Sequence, residues 1–376
     1  MIKFLDLKKQ YESIKAEIDY AIQSVINESA FIGGKYVQAF EEEFASYQQT
    51  QYCVGMANGT DAIEIAIEAL ELPKGSEIIV PANSFIATSE SVTRSGHRVV
   101  FCDCDANNYT ISIASLKSKI TDATSAIIAV HLYGHPCDMG AINSLAAQHN
   151  LKVIEDCAQA HGGEYQGKRV GGLGNIGTFS FFPGKNLGAY GDGGAIVCND
   201  QALATRCRML ANHGRIKKYD HQIEGRNSRL DGLQAAILSV KLKHLEKWTE
   251  QRIQIARAYC KGLEGVSSVK CPRTEEWARN VFHLFVIRTN HRDDLQKFLE
   301  ANSIQSGIHY PIALPKLQAY TYLHQDQEAF FANRNDDCLL SLPIGDHMDE
   351  ESVNIVCQAI TKWSLSVNTT PLASEV

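Results

Sequence analysis

The sequence predicts an α/β protein built on a mostly parallel sheet that is covered on both faces. Three observations carry this. Short β-branched runs recur from about residue 52 onward. Amphipathic helical stretches fill most of the gaps between them, and strand–helix alternation of that kind brings consecutive strands parallel. The bulk composition, 44% hydrophobic and 21% charged, is that of an ordinary globular chain, which excludes disordered, collagenous and fibrous classes.

Taken in order, residues 14–30 and 37–49 place apolar positions three and four apart and read as helices. The strand runs follow as YCVGMA (from 52), EIIVPA (77), RVVFCD (98), SAIIAVHL (125), KVIEDC (152), GTFSFF (177) and GAIVCN (194). Helices are expected at about 59–71, 84–95, 112–119, 138–149 and 201–213. A polar stretch, 214–228, precedes a long helix over roughly 229–264. HLFVIRT (283) then reads as a strand, with helices at 291–302 and 350–364. This tail set suggests a smaller α+β unit, so the expected division is 1–250 and 251–364. The apolar-poor end, 365–376, is expected to fray.

The chain has 376 residues, with 36 Lys+Arg against 43 Asp+Glu and a net charge of −7. That balance gives no footprint for nucleic acid. The polar N-terminus MIKFLDLKKQYESIK does not read as a signal peptide, and the longest apolar runs are too short to span a bilayer. Eleven scattered cysteines without a CxxC pair point to reduced, buried thiols and a cytoplasmic location.

Several motifs are set aside. Gly172-Leu173-Gly174-Asn175-Ile176-Gly177 spells G-x-G-x-x-G, but it precedes a strand and opens no helix for a pyrophosphate. His131 and His135 are four apart at a strand end broken by Gly134 and Pro136, so no metal is expected there. Cys102 and Cys104 alternate in a strand, which predicts one core thiol and one partly exposed one. Asn58-Gly59-Thr60 matches a glycosylation sequon that the expected compartment makes irrelevant.

Open parallel sheets bind ligands beyond the carboxyl ends of their strands. After YCVGMA stands Asn58-Gly59-Thr60-Asp61, opening a helix; Gly59 permits close approach and Thr60 adds a hydroxyl, a combination suited to phosphate. After EIIVPA stands Phe85, and after KVIE stands Asp156, an acid too costly to bury unless it meets a cation. Gln159 and His161 follow it. After GTFSFF, Lys185 sits in the tight turn Pro183-Gly184-Lys185-Asn186, where partial desolvation would make its amine a nucleophile. Together these are the parts that pyridoxal 5′-phosphate (PLP) requires. Lys185 would form the Schiff base, Asp156 would protonate the ring nitrogen, and Phe85 would stack on the ring. Gly59, Thr60 and Ser180 would take the phosphate.

The segments NGTDAIEIAIEAL, PANSFIAT, VHLYGHPCDM, VIEDCAQAHGG, FSFFPGKNLGAYGDGGA, KKYDHQIEGRNSRLDGLQAAIL and HYP (309–311) resemble the DegT/DnrJ/EryC1/StrS nucleotide-sugar aminotransferases. The similarity runs from FLDLKKQY to SLPIG at 341–345. It implies the aspartate-aminotransferase type of fold (fold type I), with a seven-stranded, mainly parallel sheet in a large PLP domain and a small C-terminal domain. It implies homodimers with active sites at the subunit interface. It assigns Lys185 to covalent cofactor attachment, Asp156 to the pyridine nitrogen, Gln159 to the ring, Ser180 to the phosphate, and Asn227 to the neighbouring subunit's phosphate. Relatives with histidine in place of this lysine are dehydratases, so Lys185 favours transamination. NGTDA, HLYGHP, PGKNLG, KKY and NSRLD look most like the sugar C-3 aminotransferases. Those take dTDP-3-oxo-6-deoxyhexoses with L-glutamate as donor; the C-4 enzymes are the rival, and a non-catalytic sensor should lack Lys185 or Asp156. Lys218 and Tyr219, flanked by Lys217 and Arg215, and His309 and Tyr310 are the expected sugar-nucleotide contacts. No substrate role is expected of the IALPKLQAY segment, which lacks a histidine near Pro315 or Lys316, and no phenol acid at Phe182.

Overall fold

The computed structural model describes residues 1–366. Three helices lead in, α1 (Leu7–Ser13), α2 (Lys15–Asn27) and α3 (Lys35–Tyr47). The alternating region follows as β1 (Tyr52–Met56), α4 (Gly59–Ala69), β2 (Glu77–Pro81), α5 (Ile86–Arg94), β3 (Arg98–Cys102), α6 (Ile113–Lys119), β4 (Thr124–Val130), α7 (Met139–Gln148) and β5 (Lys152–Asp156). Short strands β6 (Glu164–Tyr165) and β7 (Lys168–Arg169) precede β8 (Ile176–Ser180), β9 (Gly194–Cys198) and α8 (Gln201–Leu210). The chain goes on through a ribbon, β10 (Arg215–Lys217) and β11 (Asp220–His221), the long α9 (Gly232–Gly262), β12 (Ala278–Arg279), β13 (Phe285–Arg288), α10 (Arg292–Ala301), α11 (Phe331–Asn335), β14 (Leu339–Leu342) and α12 (Glu350–Ser366).

The main sheet has seven strands in the order β1-β9-β8-β5-β4-β2-β3. β2, β3, β4, β5 and β8 run parallel, while β9 is antiparallel to both β8 and β1. Side chains alternate across it as the pleat requires. Ile78, Val80, Ile128 and Ile154 face α4, whereas Ile79, Ile127 and Val153 face Leu116 of α6 and Ile142 of α7. Both faces are therefore covered, as the strand–helix alternation predicts. α3 and α9 close the β1–β9 end, where Phe40 and Phe44 stack with each other and meet Phe179 and Phe181 edge-on.

β13 pairs antiparallel with β14, and α9, α10 and α12 pack around that pair with Tyr259, Phe285, Leu295 and Trp363 in a separate core. α9 runs unbroken through the border expected at 250/251. The fraying expected at 365–376 falls mostly outside the described residues; Leu365 and Ser366 belong to α12. Cys102 and Cys104 are both buried, not one of each as expected. β3 ends at Cys102, so strand alternation no longer governs Cys104, which bridges to Ile111. Among the eleven thiols Cys260 is exposed and Cys271 half-buried. No helix among the described residues is long and apolar enough to cross a membrane.

Candidate active site

A cavity of about 750 Å³ opens beyond the carboxyl ends of β1, β2, β4, β5 and β8. At one wall the chain leaves β1 and turns into α4. Asn58 caps that helix by accepting from the Asp61 amide at 2.8 Å. A Cβ on Gly59 would lie 2.6 Å from the Ser180 Cβ, so only glycine lets the helix start press against β8. Gly59, Thr60 and Ser180 thus line the cavity together at a helix N-terminus, a setting suited to a phosphate.

Asp156 ends β5 and is 5% exposed. Its Oδ2 accepts from the Thr88 hydroxyl at 2.8 Å and its Oδ1 from the Ala158 amide at 3.1 Å. Ser84 and Thr88 hydroxyls lie 2.8 Å apart; because Thr88 gives its proton to Asp156, Ser84 gives its own to Thr88. The carboxylate is thus fixed in place and still lines the cavity. Lys185 lines the same cavity. Its amide donates to the Phe182 carbonyl at 2.8 Å, closing the tight turn. A Cβ on Gly188 would stand 2.3 Å from the Pro183 carbonyl oxygen, so the turn closes only around glycine. Burial lowers the Lys185 amine to about 8, with the Asp156 charge opposing part of that shift.

Gln159 is held at both ends. Its Oε1 accepts from the Tyr133 amide at 2.7 Å and its Nε2 donates to the Tyr310 hydroxyl at 3.1 Å. His309 stacks on Phe4 with ring centroids 5.8 Å apart, and its Nδ1 meets the Ser341 hydroxyl at 2.8 Å. Burial, then Lys185, lowers His309 to about 4, so its ring is neutral. His283 is held well below the usual imidazole range by burial and by the Lys185 and Arg252 charges. Phe85 and Phe182 stand half exposed at the lip, and Phe85 leans on Tyr310 at 5.8 Å.

Gly59, Thr60, Phe85, Asp156, Gln159, Ser180, Lys185, His309 and Tyr310 therefore surround one cavity. Asn227, Lys218 and Tyr219 do not line it. Asn227 is exposed beside Asn212, while Lys218 and Tyr219 sit at the tip between β10 and β11, with Tyr219 83% exposed. Lys316 pairs instead with Asp336 at 2.7 Å, away from the cavity. Sequence reasoning missed Phe4, Leu5, Arg252 and His283, which reach the cavity from distant segments and carry no local motif.

The glycine-rich loop set aside above has an internal anion. The amides of Gly171, Leu173 and Gly174 donate to the Glu155 carboxylate at 2.7, 2.7 and 2.6 Å. His131 completes that shell through Nε2 at 3.0 Å, its Nδ1 accepting from the Cys137 amide. Glu155, His131 and Cys157 lie within reach of one ion, but the carboxylate's acceptor positions are already used by these donors.

A fixed acid and a partly neutral amine facing one cavity, beside a cradle that a side chain at Gly59 would fill, fit pyridoxal phosphate. On this sheet topology they define a PLP-dependent enzyme of the aminotransferase fold. The chain belongs to the DegT/DnrJ/EryC1/StrS aminotransferase family, whose model matches residues 12–361. It is 44% identical over 363 residues to a dTDP-3-amino-3,6-dideoxy-alpha-D-galactopyranose transaminase of Aneurinibacillus thermoaerophilus, covering 96% of this chain and 99% of the relative. It is 40% identical over 372 residues to a dTDP-3-amino-3,4,6-trideoxy-alpha-D-glucose transaminase of Streptomyces venezuelae, covering 98% and 97%. The crystal structure of DesV from S. venezuelae, in complex with a ketimine intermediate, superposes with a TM-score of 0.95 at 40% identity, covering 98% of this chain and 99% of that one.

Proposed function

We propose that this PLP-dependent aminotransferase moves the amino group of L-glutamate to the 3-keto carbon of a dTDP-3-oxo-6-deoxyhexose. The product is a dTDP-3-amino-3,6-dideoxyhexose and the by-product 2-oxoglutarate. The observation that carries the reading is the shared cavity of Lys185 and Asp156. Bound PLP supplies an aldehyde and an electron-withdrawing ring. Lys185, lowered to about 8, loses its proton far more readily than an ordinary lysine and so can take a proton from the donor's Cα and return one. Asp156, anchored by Thr88 and Ala158, favours a proton on the ring nitrogen. Phe85 and Gln159 would hold the ring, and Gly59, Thr60 and Ser180 would take its phosphate. His309 and Tyr310 form the sugar-facing wall.

Asn227, Lys218 and Tyr219 fit this scheme only as contributors to a second subunit's site, and their exposed placement agrees with that. The enzyme is then a homodimer. The position of amination is supported by the two C-3 transaminases to which the chain is similar. The test is purified enzyme with PLP, glutamate and a panel of dTDP-keto sugars, with the product's mass and NMR spectrum recorded. Nitrogen on C-3 together with 2-oxoglutarate is the expected result. Nitrogen on C-4, or dehydration without 2-oxoglutarate, would overturn it.

A further inference from the structure

Arg252 is a cation whose burial the fold alone does not explain. It lies two-thirds of the way along α9 and is 4% exposed. Its Nη1 donates to the carbonyl oxygens of Phe282, His283 and Ile344 at 3.1, 3.3 and 3.2 Å. Carbonyl dipoles orient a guanidinium but leave its charge unneutralised, and a buried unpaired charge costs several kcal/mol. No carboxylate among the described residues forms an ion pair with it. Burial lowers it to about 10, with Asp346 offsetting only part of the loss.

Arg252 also lines the cavity that holds Lys185, and it is the one guanidinium among the described residues that does so. Lys241, another buried cation of α9, is different: it does not line the cavity, and its amine is engaged by the Gly188 carbonyl oxygen at 2.5 Å. On the Nη2 side of Arg252 stands Gly345, where an added Cβ would come within 3.5 Å of that nitrogen and would press on the His347 ring at 2.7 Å.

The two substrates of a transamination differ in charge where they react. An amino acid carries a carboxylate on the carbon whose amine is transferred. A sugar ketone carries none beside the reacting carbon. The phosphate cradle is formed by Gly59, Thr60 and Ser180 and makes no use of Arg252.

We propose that Arg252 binds a carboxylate of the amino-acid donor, through its Nη2–Nε edge, while Nη1 stays anchored to the three backbone carbonyls. The inference rests on the aminotransferase reading above and adds the donor subsite to it. A guanidinium fork matches a carboxylate with two parallel hydrogen bonds, which an ammonium cannot reproduce. The neutral His283 and His309 rings nearby add no second fixed charge, so the donor would be held mainly by this one side chain.

The experiment uses the holoenzyme as wild type, R252K and R252Q, each checked by circular dichroism and melting. Succinate, an unreactive dicarboxylate, is titrated into each, and the two half-reactions are followed separately in single turnovers. Succinate affinity is expected to fall at least ten-fold in R252K. The amino-acid half-reaction should slow at least ten-fold more than the sugar half-reaction, with the loss in the apparent donor affinity. Unchanged succinate affinity, or equal slowing of both half-reactions, would overturn the proposal. If neither variant folds, a crystal structure of the wild-type holoenzyme with succinate decides. A carboxylate on Arg252 supports the assignment and one bound elsewhere refutes it. If the wild type accepts a different amino acid, the glutamate reading fails and Arg252 is tested with that acid. If the wild type accepts glutamate and R252K does so undiminished, only the Arg252 reading fails.

Discussion

Replacing Glu155 by glutamine is a near-isosteric change that should cost more than most core truncations. Each oxygen of this buried carboxylate receives two donors. Oε2 takes His131 Nε2 at 3.0 Å and the Gly171 amide at 2.7 Å. Oε1 takes the Leu173 and Gly174 amides at 2.7 and 2.6 Å. Glutamine keeps one oxygen and puts an NH2 where the other stood, so two donors face two donors whichever way the amide turns. Hydrogen bonds to a charged group contribute about 1.5–3 kcal/mol each, so the two lost bonds alone amount to about 3–6 kcal/mol. That is a large share of a typical stability of about 5–15 kcal/mol. The damage should also spread to the neighbouring Asp156, loosening the cofactor. The assay is urea unfolding monitored by fluorescence, with the half-life of thermal inactivation as a second measure, because a chain of this length need not unfold in two states. A destabilisation below about 1 kcal/mol with an unchanged half-life would refute the assignment of these amides to Glu155.

Lys185→Ala should abolish borohydride-stable labelling by PLP and lower turnover by roughly 10²–10⁴-fold, the usual share of a positioned acid–base group; labelling that survives would move the attachment elsewhere. Gly59→Ala would put a methyl 2.6 Å from the Ser180 Cβ, and overpacking of this kind costs about 1–3 kcal/mol, to be read as weaker PLP binding in a fluorescence titration. In the cofactor-free protein the Lys185 amine reacts when neutral. Its rate of capture by PLP should therefore rise with pH and level off above about 8, whereas a midpoint near the ordinary lysine value of 10.5 would contradict the desolvated setting.

The strand runs were legible because a sheet covered on both faces demands apolar segments, and each of the seven met its strand. Asp156 and Lys185 were legible because an acid at the end of an apolar strand and a lysine in a glycine-rich turn are costly unless used. β14 escaped notice because LLSL is short and lies far from its partner β13 in sequence. The β6, β7 and β12 strands have two residues each, too few for any period to register. Phe4, His283 and Arg252 reach the site by long-range folding, and nothing in MIKFLD, RNVFHLF or QRIQIAR distinguishes them from packing residues. Glu155 was overshadowed by its neighbour; its demand for donors accounts for the glycine-rich loop that imitates a dinucleotide motif.

α9 works as a ruler. Lys241 braces the turn that carries Lys185, and Arg252 reaches the wall of the cavity, eleven residues further along the same helix. Eleven residues make about three turns and roughly 16 Å, so both side chains leave the same face of one rod. A single residue inserted between them would swing one by about 100° and lengthen the gap by about 1.5 Å. The spacing from 241 to 252 therefore tolerates no insertion or deletion if both contacts are to be kept.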